Sequence, residues 1–194
     1  MQAARGASLN ASDHSNSDHQ TLPNRRRFGL FVAVALLAYS VDVLSKIAAV
    51  ELLSGRSPVE VVGSYFTLFL ARNPGAAFST GTAYTEILTL VAIGAVAVVL
   101  WVARRLRSAV WAVGLGFLLG GVLGNLTDRL FRSPGPMRGH VIDFFMFPHF
   151  PVFNVADICI NIAAATIIVQ ALRGVRVDGS RHEDADKPAG AAGV

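Results

Sequence analysis

The stretch AVWAVGLGFLLGGVLGNLTDR, residues 109–129, decides the fold class of this chain. Residues 109–126 are almost wholly apolar and uncharged, and a helix of about this length crosses a bilayer. Gly116, Gly120 and Gly124 recur at every fourth position, a pattern that lets transmembrane helices approach closely. This stretch therefore predicts a transmembrane helix packed tightly against a neighbour.

Three further apolar segments flank this one along the chain. The protein has 194 residues, of which 53% are hydrophobic and 15% charged, a composition that excludes an ordinary soluble globular domain. We predict an all-α membrane protein with four transmembrane helices, at about residues 28–53, 86–103, 109–126 and 153–172. Residues 25–173 would form the membrane domain. Residues 1–24 and 174–194 would be disordered cytoplasmic tails.

Clusters of arginine predict the orientation of these helices. One cluster precedes the first helix, a second lies between the second and third helices, and a third follows the last helix, namely Arg25, Arg26 and Arg27, then Arg104, Arg105 and Arg107, then Arg173, Arg176 and Arg181. Because cytoplasmic loops carry an excess of Lys and Arg, both termini are predicted to be cytoplasmic. The net charge of +4 is then explained by topology, and no binding of nucleic acid is expected.

The two segments on the outer side have different characters. In residues 54–85, the runs Val59–Val62 and Tyr65–Phe69 are largely β-branched or aromatic, which predicts a small extracytoplasmic β-sheet at the outer face. Residues 129–152 contain four prolines, and we expect this second segment to be mostly loop.

Polar residues from distant parts of the chain are predicted to share one depth near the outer face. A charged side chain within a bilayer is costly and usually marks a functional site. The members of this outer layer are Asp42, Lys46, Arg72, Asn73, Asn125, Asp128, Arg129, Asp143, Asn154, Asp157 and Asn161. Structural polar groups would have no reason to gather at one depth.

The aspartates of this layer differ in their sequence neighbours. Asp42 has Lys46 one helical turn away. Asp128 is followed directly by Arg129, with Arg132 one turn on. Structural ion pairing therefore explains both aspartates. Asp143 and Asp157 have no adjacent Lys or Arg. Burial or mutual closeness would raise the pKa of one of them, and one protonated plus one ionised carboxylate is what an aspartic peptidase uses.

Other chemistries are compatible with parts of the pattern. His140, Asp143 and His149 could ligate a metal ion, although no His-Glu-x-x-His pattern exists. A Ser–Lys hydrolase would pair Lys46 with a serine such as Ser79. An ion pathway would need polar groups at every depth, whereas the inner halves of the segments are apolar. A protein that binds lipid or peptide without cutting it could use the same pocket.

Five segments in order resemble the motif series of the bacterial lipoprotein signal peptidase (signal peptidase II) family. They are DVLSK at residues 42–46, RNPGAAFS at 72–79, GGVLGNLTDR at 120–129, GHVIDF at 139–144 and FNVAD at 153–157. The resemblance implies an intramembrane aspartic endopeptidase of the bacterial inner membrane that needs no cofactor or metal. Its partners would be membrane lipid and prolipoproteins, cleaved before the diacylglyceryl-modified cysteine of the lipobox. We expect a monomer.

The same resemblance implies roles for individual residues. The catalytic pair falls on Asp143 and Asp157, with Asp128 as the rival of Asp143. Site support falls on Asn73, Asn125, Arg129, Asn154, Asp128, Asp42 and Lys46. The stretch between Asp143 and Asp157 is shorter than the family pattern, and residues 129–139 form a longer stretch, which affects the shape of the outer loop.

Overall fold

A computed structural model describes residues 24–75 and 83–181 of the chain. The described residues form four long helices and a three-stranded antiparallel sheet, which confirms the predicted fold class. In chain order the elements are α1 (Arg25–Leu53), β1 (Val59–Val62), β2 (Phe66–Asn73), α2 (Ala83–Ala103), α3 (Ala109–Phe131), β3 (Val141–Met146) and α4 (Val155–Leu172). All four helices are long and apolar enough to cross a membrane.

Helix α3 is the centre of the bundle. Its most apolar window is 56% buried inside the protein, against 22%, 17% and 22% for α1, α2 and α4. It continues to Phe131, beyond the predicted end at residue 126. Asn125, Asp128 and Arg129 therefore lie on the last turns of a continuous helix, with their side chains fixed relative to α1 and α4.

Glycines on α3 set its close approach to α1. A Cβ atom at Gly116 would lie 2.8 Å from the Cβ of Val34, and one at Gly120 would lie 2.7 Å from the backbone oxygen of Ala35. Carbon atoms cannot approach so closely without a shift, so the helices pack backbone against backbone, as the glycine spacing predicts.

The sheet covers the bundle at the end where the polar residues gather. Strand β2 lies between β1 and β3, with Ala71 opposite Asp143 and Asn73 opposite Val141. Most of residues 129–152 is loop, as predicted, but the segment also contains β3, which the sequence did not predict. The six residues of β3 lie between the prolines, so they can pair with β2 even though a long element would be broken.

The opposite end of the bundle is closed by residues that follow α4. The backbone N–H groups of Arg107 and Ser108 donate to the oxygen of Val177, at 3.1 and 3.2 Å. The indole N–H of Trp111 donates to the oxygen of Val175 at 3.0 Å. The described part of the chain thus extends past residue 174, where the second tail was predicted to begin, to residue 181. The rest of both predicted tails, and Ser79, lie outside the described residues.

Candidate active site

Asp143 lies on β3 with its side chain almost fully buried, at 2% exposure. The amide of Asn73 donates to one carboxylate oxygen at 2.9 Å, and the amide of Asn154 donates to the other at 2.6 Å. The contact with Asn73 follows from the strand register, because diagonal neighbours on paired strands share one face of a sheet. Both oxygens are therefore held by neutral donors.

Burial raises the pKa of the Asp143 carboxyl from 3.8 to about 6. The negative charge of Asp157 also raises this pKa, whereas the hydrogen bonds from Asn73 and Asn154 and the charge of Lys46 lower it. Asp143 thus keeps its proton to a higher pH than an ordinary carboxyl does.

Asp157 lies in the first turn of α4, where Asn154 is the N-cap. The two residues form a capping box, in which the Asp157 N–H donates to the Asn154 side chain at 3.0 Å and the Asn154 N–H donates to the Asp157 carboxylate at 3.1 Å. The positive end of the helix dipole favours a negative charge at this position. The side-chain amide of Asn125 donates to the other carboxylate oxygen of Asp157 at 3.0 Å.

Asn154 connects the two carboxylates. Its side-chain N–H group donates to Asp143 while its side-chain oxygen accepts from the backbone of Asp157. Backbone hydrogen bonds between Phe145 and Phe153, at 2.9 and 3.0 Å, bring the start of α4 back beside β3. This tight return explains how a short stretch of chain between the two aspartates still brings them to one site.

A buried lysine, Lys46, contacts the side-chain amide of Asn125. Lys46 is completely buried, and its Nζ lies 2.8 Å from Asp42, 2.9 Å from Asp128 and 2.8 Å from the side-chain oxygen of Asn125. The contact with Asn125 is a hydrogen bond, whereas the two carboxylates lie at ion-pair distance. The Asp42 oxygen nearest to Lys46 is buried and has no hydrogen-bond partner among residues 24–75 and 83–181. Lys46 therefore orients the amide of Asn125, which in turn donates to Asp157.

The remaining two aspartates of the layer are occupied in structural contacts. Asp42 pairs with Lys46 and accepts the backbone N–H of Ala156 at 2.7 Å, which ties α1 to the first turn of α4. Asp128 pairs with Lys46 and Arg132 and accepts the backbone N–H of Ile142 at 3.2 Å. These contacts agree with the prediction of ion pairing for both residues.

Arg129 lies close enough to Asp143, Asp128 and Asp157 to interact with their negative charges. Its Nη1 atom is buried and has no hydrogen-bond partner among residues 24–75 and 83–181. Arg72, which the sequence also places in this layer, is exposed on β2.

The contacts of Lys46 with Asn125 and Asp128 are the part of the site that sequence reasoning missed. They join residues far apart in the chain, so no local spacing indicates them. Within the described part of the chain, no three His, Cys, Asp or Glu side chains form a group that could hold a metal ion. The grouping of His140, Asp143 and His149 is therefore not a metal cluster.

Comparison with known proteins finds similar sequences in one family. The family described as Signal peptidase (SPase) II matches residues 34–173. The chain is 49% identical over 172 residues to a lipoprotein signal peptidase of Mycolicibacterium smegmatis, covering 87% of this chain and 73% of the relative. A lipoprotein signal peptidase of Streptomyces coelicolor is 44% identical over 160 residues, covering 82% and 78%.

A solved bacterial membrane enzyme, determined by the in meso method at 1.9 Å resolution, has the same fold. Its TM-score is 0.65 at 23% identity, and the match covers 75% of this chain and 94% of that one.

Proposed function

The chain belongs to the signal peptidase II family of bacterial membrane peptidases that process lipoproteins, and on this premise we propose that Asp143 and Asp157 form its catalytic pair. One observation carries the proposal, which is that Asn154 hydrogen-bonds to both residues. The burial of Asp143 and its raised pKa support it. A pair in which one carboxyl is suited to hold a proton beside an ionised partner can serve as acid and base at once.

The proposed reaction assigns a different task to each carboxyl. Asp157 is half-buried and takes a proton from the attacking water. Asp143 donates its proton to the oxygen of the scissile carbonyl as the tetrahedral intermediate forms. The intermediate then collapses as Asp157 donates the proton it took from water to the leaving peptide nitrogen, and Asp143 takes back a proton from one hydroxyl of the intermediate as the C–N bond breaks. The amides of Asn73, Asn125 and Asn154 hold both carboxyls in place while these charges move.

Four of the supporting residues act through position and charge. Lys46 orients Asn125, and Asp42 holds the first turn of α4 through Ala156. Asp128 is the third partner of Lys46 rather than a second catalytic carboxyl, because Lys46, Arg132 and Ile142 occupy its oxygens. Arg129 adds a positive charge that interacts with the catalytic pair.

The proposed substrates are prolipoproteins cut immediately before the lipobox cysteine that carries diacylglycerol. Two observations support this reading, namely the family match over residues 34–173 and the exposed apolar side chains of the helices. The acyl chains would lie in membrane lipid while the peptide reaches the carboxyls. From the arginine clusters we further propose that both termini are cytoplasmic and that the site lies near the outer face. The proposed unit is a monomer.

Cleavage of a lipidated precursor by the purified protein tests the catalytic pair. Asp143→Asn and Asp157→Asn should each lower the rate about 10²- to 10⁴-fold, the usual contribution of a general acid or base. Glu60→Gln, the same change of acid to amide at an exposed outer residue, should leave the rate unchanged. Turnover by either aspartate variant at close to the normal rate would show that the pair is wrongly assigned.

The assay also separates this mechanism from metal-dependent hydrolysis and from simple binding. Excess EDTA should leave cleavage unaffected, since the proposed acid and base are both carboxyls. Loss of activity that returns with added metal would contradict the proposal. Precursor that binds the protein and remains at its original size would instead indicate a binding protein.

A further inference from the structure

A cavity of about 390 Å³ lies at the end of the bundle opposite the carboxylates. Helix α2 begins beside the sheet, where the Thr85 hydroxyl donates to the oxygen of Pro74 at 2.5 Å, and it ends at this cavity. The lining residues are Trp101, Val102, Arg105, Arg176, Val177 and Asp178. We propose that the cavity binds the phosphodiester headgroup of an anionic phospholipid.

The wall formed by residues 176–178 is a folded part of the protein. The oxygen of Val177 accepts two backbone N–H groups from the α2–α3 turn, those of Arg107 and Ser108. Val177 also packs against the apolar core at this end of the bundle. A third backbone hydrogen bond, from the N–H of Arg176 to the oxygen of Ser180 at 2.9 Å, closes a tight loop. The cavity is therefore present before any ligand binds.

The charges of the lining suit a single negative charge. Arg105 and Arg176 are exposed and carry two positive charges, against one negative charge on Asp178. Hydrogen bonds from Ser180 are the main reason that the pKa of the Asp178 carboxyl lies below its usual range, and the charge of Arg176 lowers it further. Asp178 stays ionised, so the lining has a net charge of +1. A phosphodiester carries one negative charge, whereas a free phosphate dianion would meet more repulsion from Asp178.

The remaining lining suits the glycerol and the first part of the acyl chains. The Arg105 guanidinium lies 5.4 Å from the centre of the Trp101 ring, which holds this cation at an aromatic surface. Tryptophan is enriched at the boundary between membrane and water, and Trp101 is 57% exposed at the end of an apolar helix. Exposed Val98 and Leu100 continue along α2 toward the bilayer interior. A lipid could therefore place its phosphate at the arginines and its chains along α2.

Thermal unfolding of the purified full-length protein in a zwitterionic detergent, with added lipid, tests the proposal. Phosphatidylglycerol should raise the unfolding temperature in a saturable manner, and phosphatidylcholine should not. The Arg105→Gln, Arg176→Gln double variant should need about tenfold more phosphatidylglycerol for half of the effect, because each arginine near a membrane surface attracts anionic lipid. Arg104→Gln, Arg173→Gln is the matched control. It removes the same charge from exposed residues of the same end that do not line the cavity.

Each outcome decides for or against the headgroup site. A lipid response that weakens in the cavity variant and persists in the control supports it. Equal weakening in both variants would show that general surface charge attracts the lipid, which overturns a defined site. An equal rise in unfolding temperature with inorganic phosphate alone would overturn the assignment to lipid. These results are independent of cleavage activity, so they do not depend on the proposed catalytic pair.

Discussion

Replacing Lys46 with methionine should remove the cation on which the buried polar network depends. Methionine fills a similar volume without a charge, so packing changes little. The variant leaves Asp42 completely buried with no opposite charge, while Asp128 keeps Arg132. Removing one partner of a buried ion pair costs about 3–5 kcal/mol, because the remaining charge is uncompensated. We therefore expect the free energy of unfolding to fall by about this amount.

Reversible unfolding in mixed detergent micelles, followed by circular dichroism, measures this loss. Arg138→Met is the control, because Arg138 and Glu86 form an ion pair that is largely exposed, and it should change stability by less than about 1 kcal/mol. The Asp42→Asn, Lys46→Met double variant should be more stable than Lys46→Met by about 1–3 kcal/mol, since the uncompensated charge is gone. A Lys46→Met protein as stable as the control variant would refute this reasoning.

Three further predictions concern pH, packing and orientation. The raised pKa of Asp143 means that its proton binding stabilises the folded state at low pH, and that this contribution is lost as pH rises from 3.8 through about 6. The difference in free energy of unfolding between the unmodified protein and Asp143→Asn should therefore change over this pH range. A difference that is independent of pH would contradict the prediction. Gly120→Ala should destabilise the protein by about 1–3 kcal/mol because α1 must move away, whereas Gly94→Ala, with no atom within 4 Å, should not. Similar unfolding temperatures for the two would argue against close packing. In whole cells, an impermeant thiol reagent should label Glu60→Cys and spare Asp178→Cys, and the reverse pattern would invert the proposed topology.

The four helices could be predicted from the sequence because each depends on local pattern. Hydropathy and arginine clusters identify spans, and the glycine spacing on α3 indicates its close contact with α1. β3 could not be predicted, because its strand character depends on pairing with β2 across a long separation. The end of α3 at Phe131 was also missed, since a helix can continue past the apolar region once its polar residues find partners.

Within the site, residue types were more predictable than contacts. Because Asp143 has no cation beside it in the sequence, it could be distinguished from Asp128. In the structure, Asp143 accepts a hydrogen bond from the amide of Asn73, whereas Asp128 forms an ion pair with Lys46. The sequence could not show that Asn154 bonds to both Asp143 and Asp157, because that depends on the return of the chain after β3.

The Asp42–Lys46 pair has a consequence for how the protein enters the membrane. Its two members are one helical turn apart, so they can pair as soon as α1 forms. Their other partners come much later in the chain, since Asn125 lies 79 residues beyond Lys46 and Ala156 lies 114 residues beyond Asp42. A lone charge in the middle of a newly made helix costs about 2.5–3.5 kcal/mol on insertion. Because the two residues neutralise each other within one turn, the first helix can remain in the membrane before the last helix is inserted.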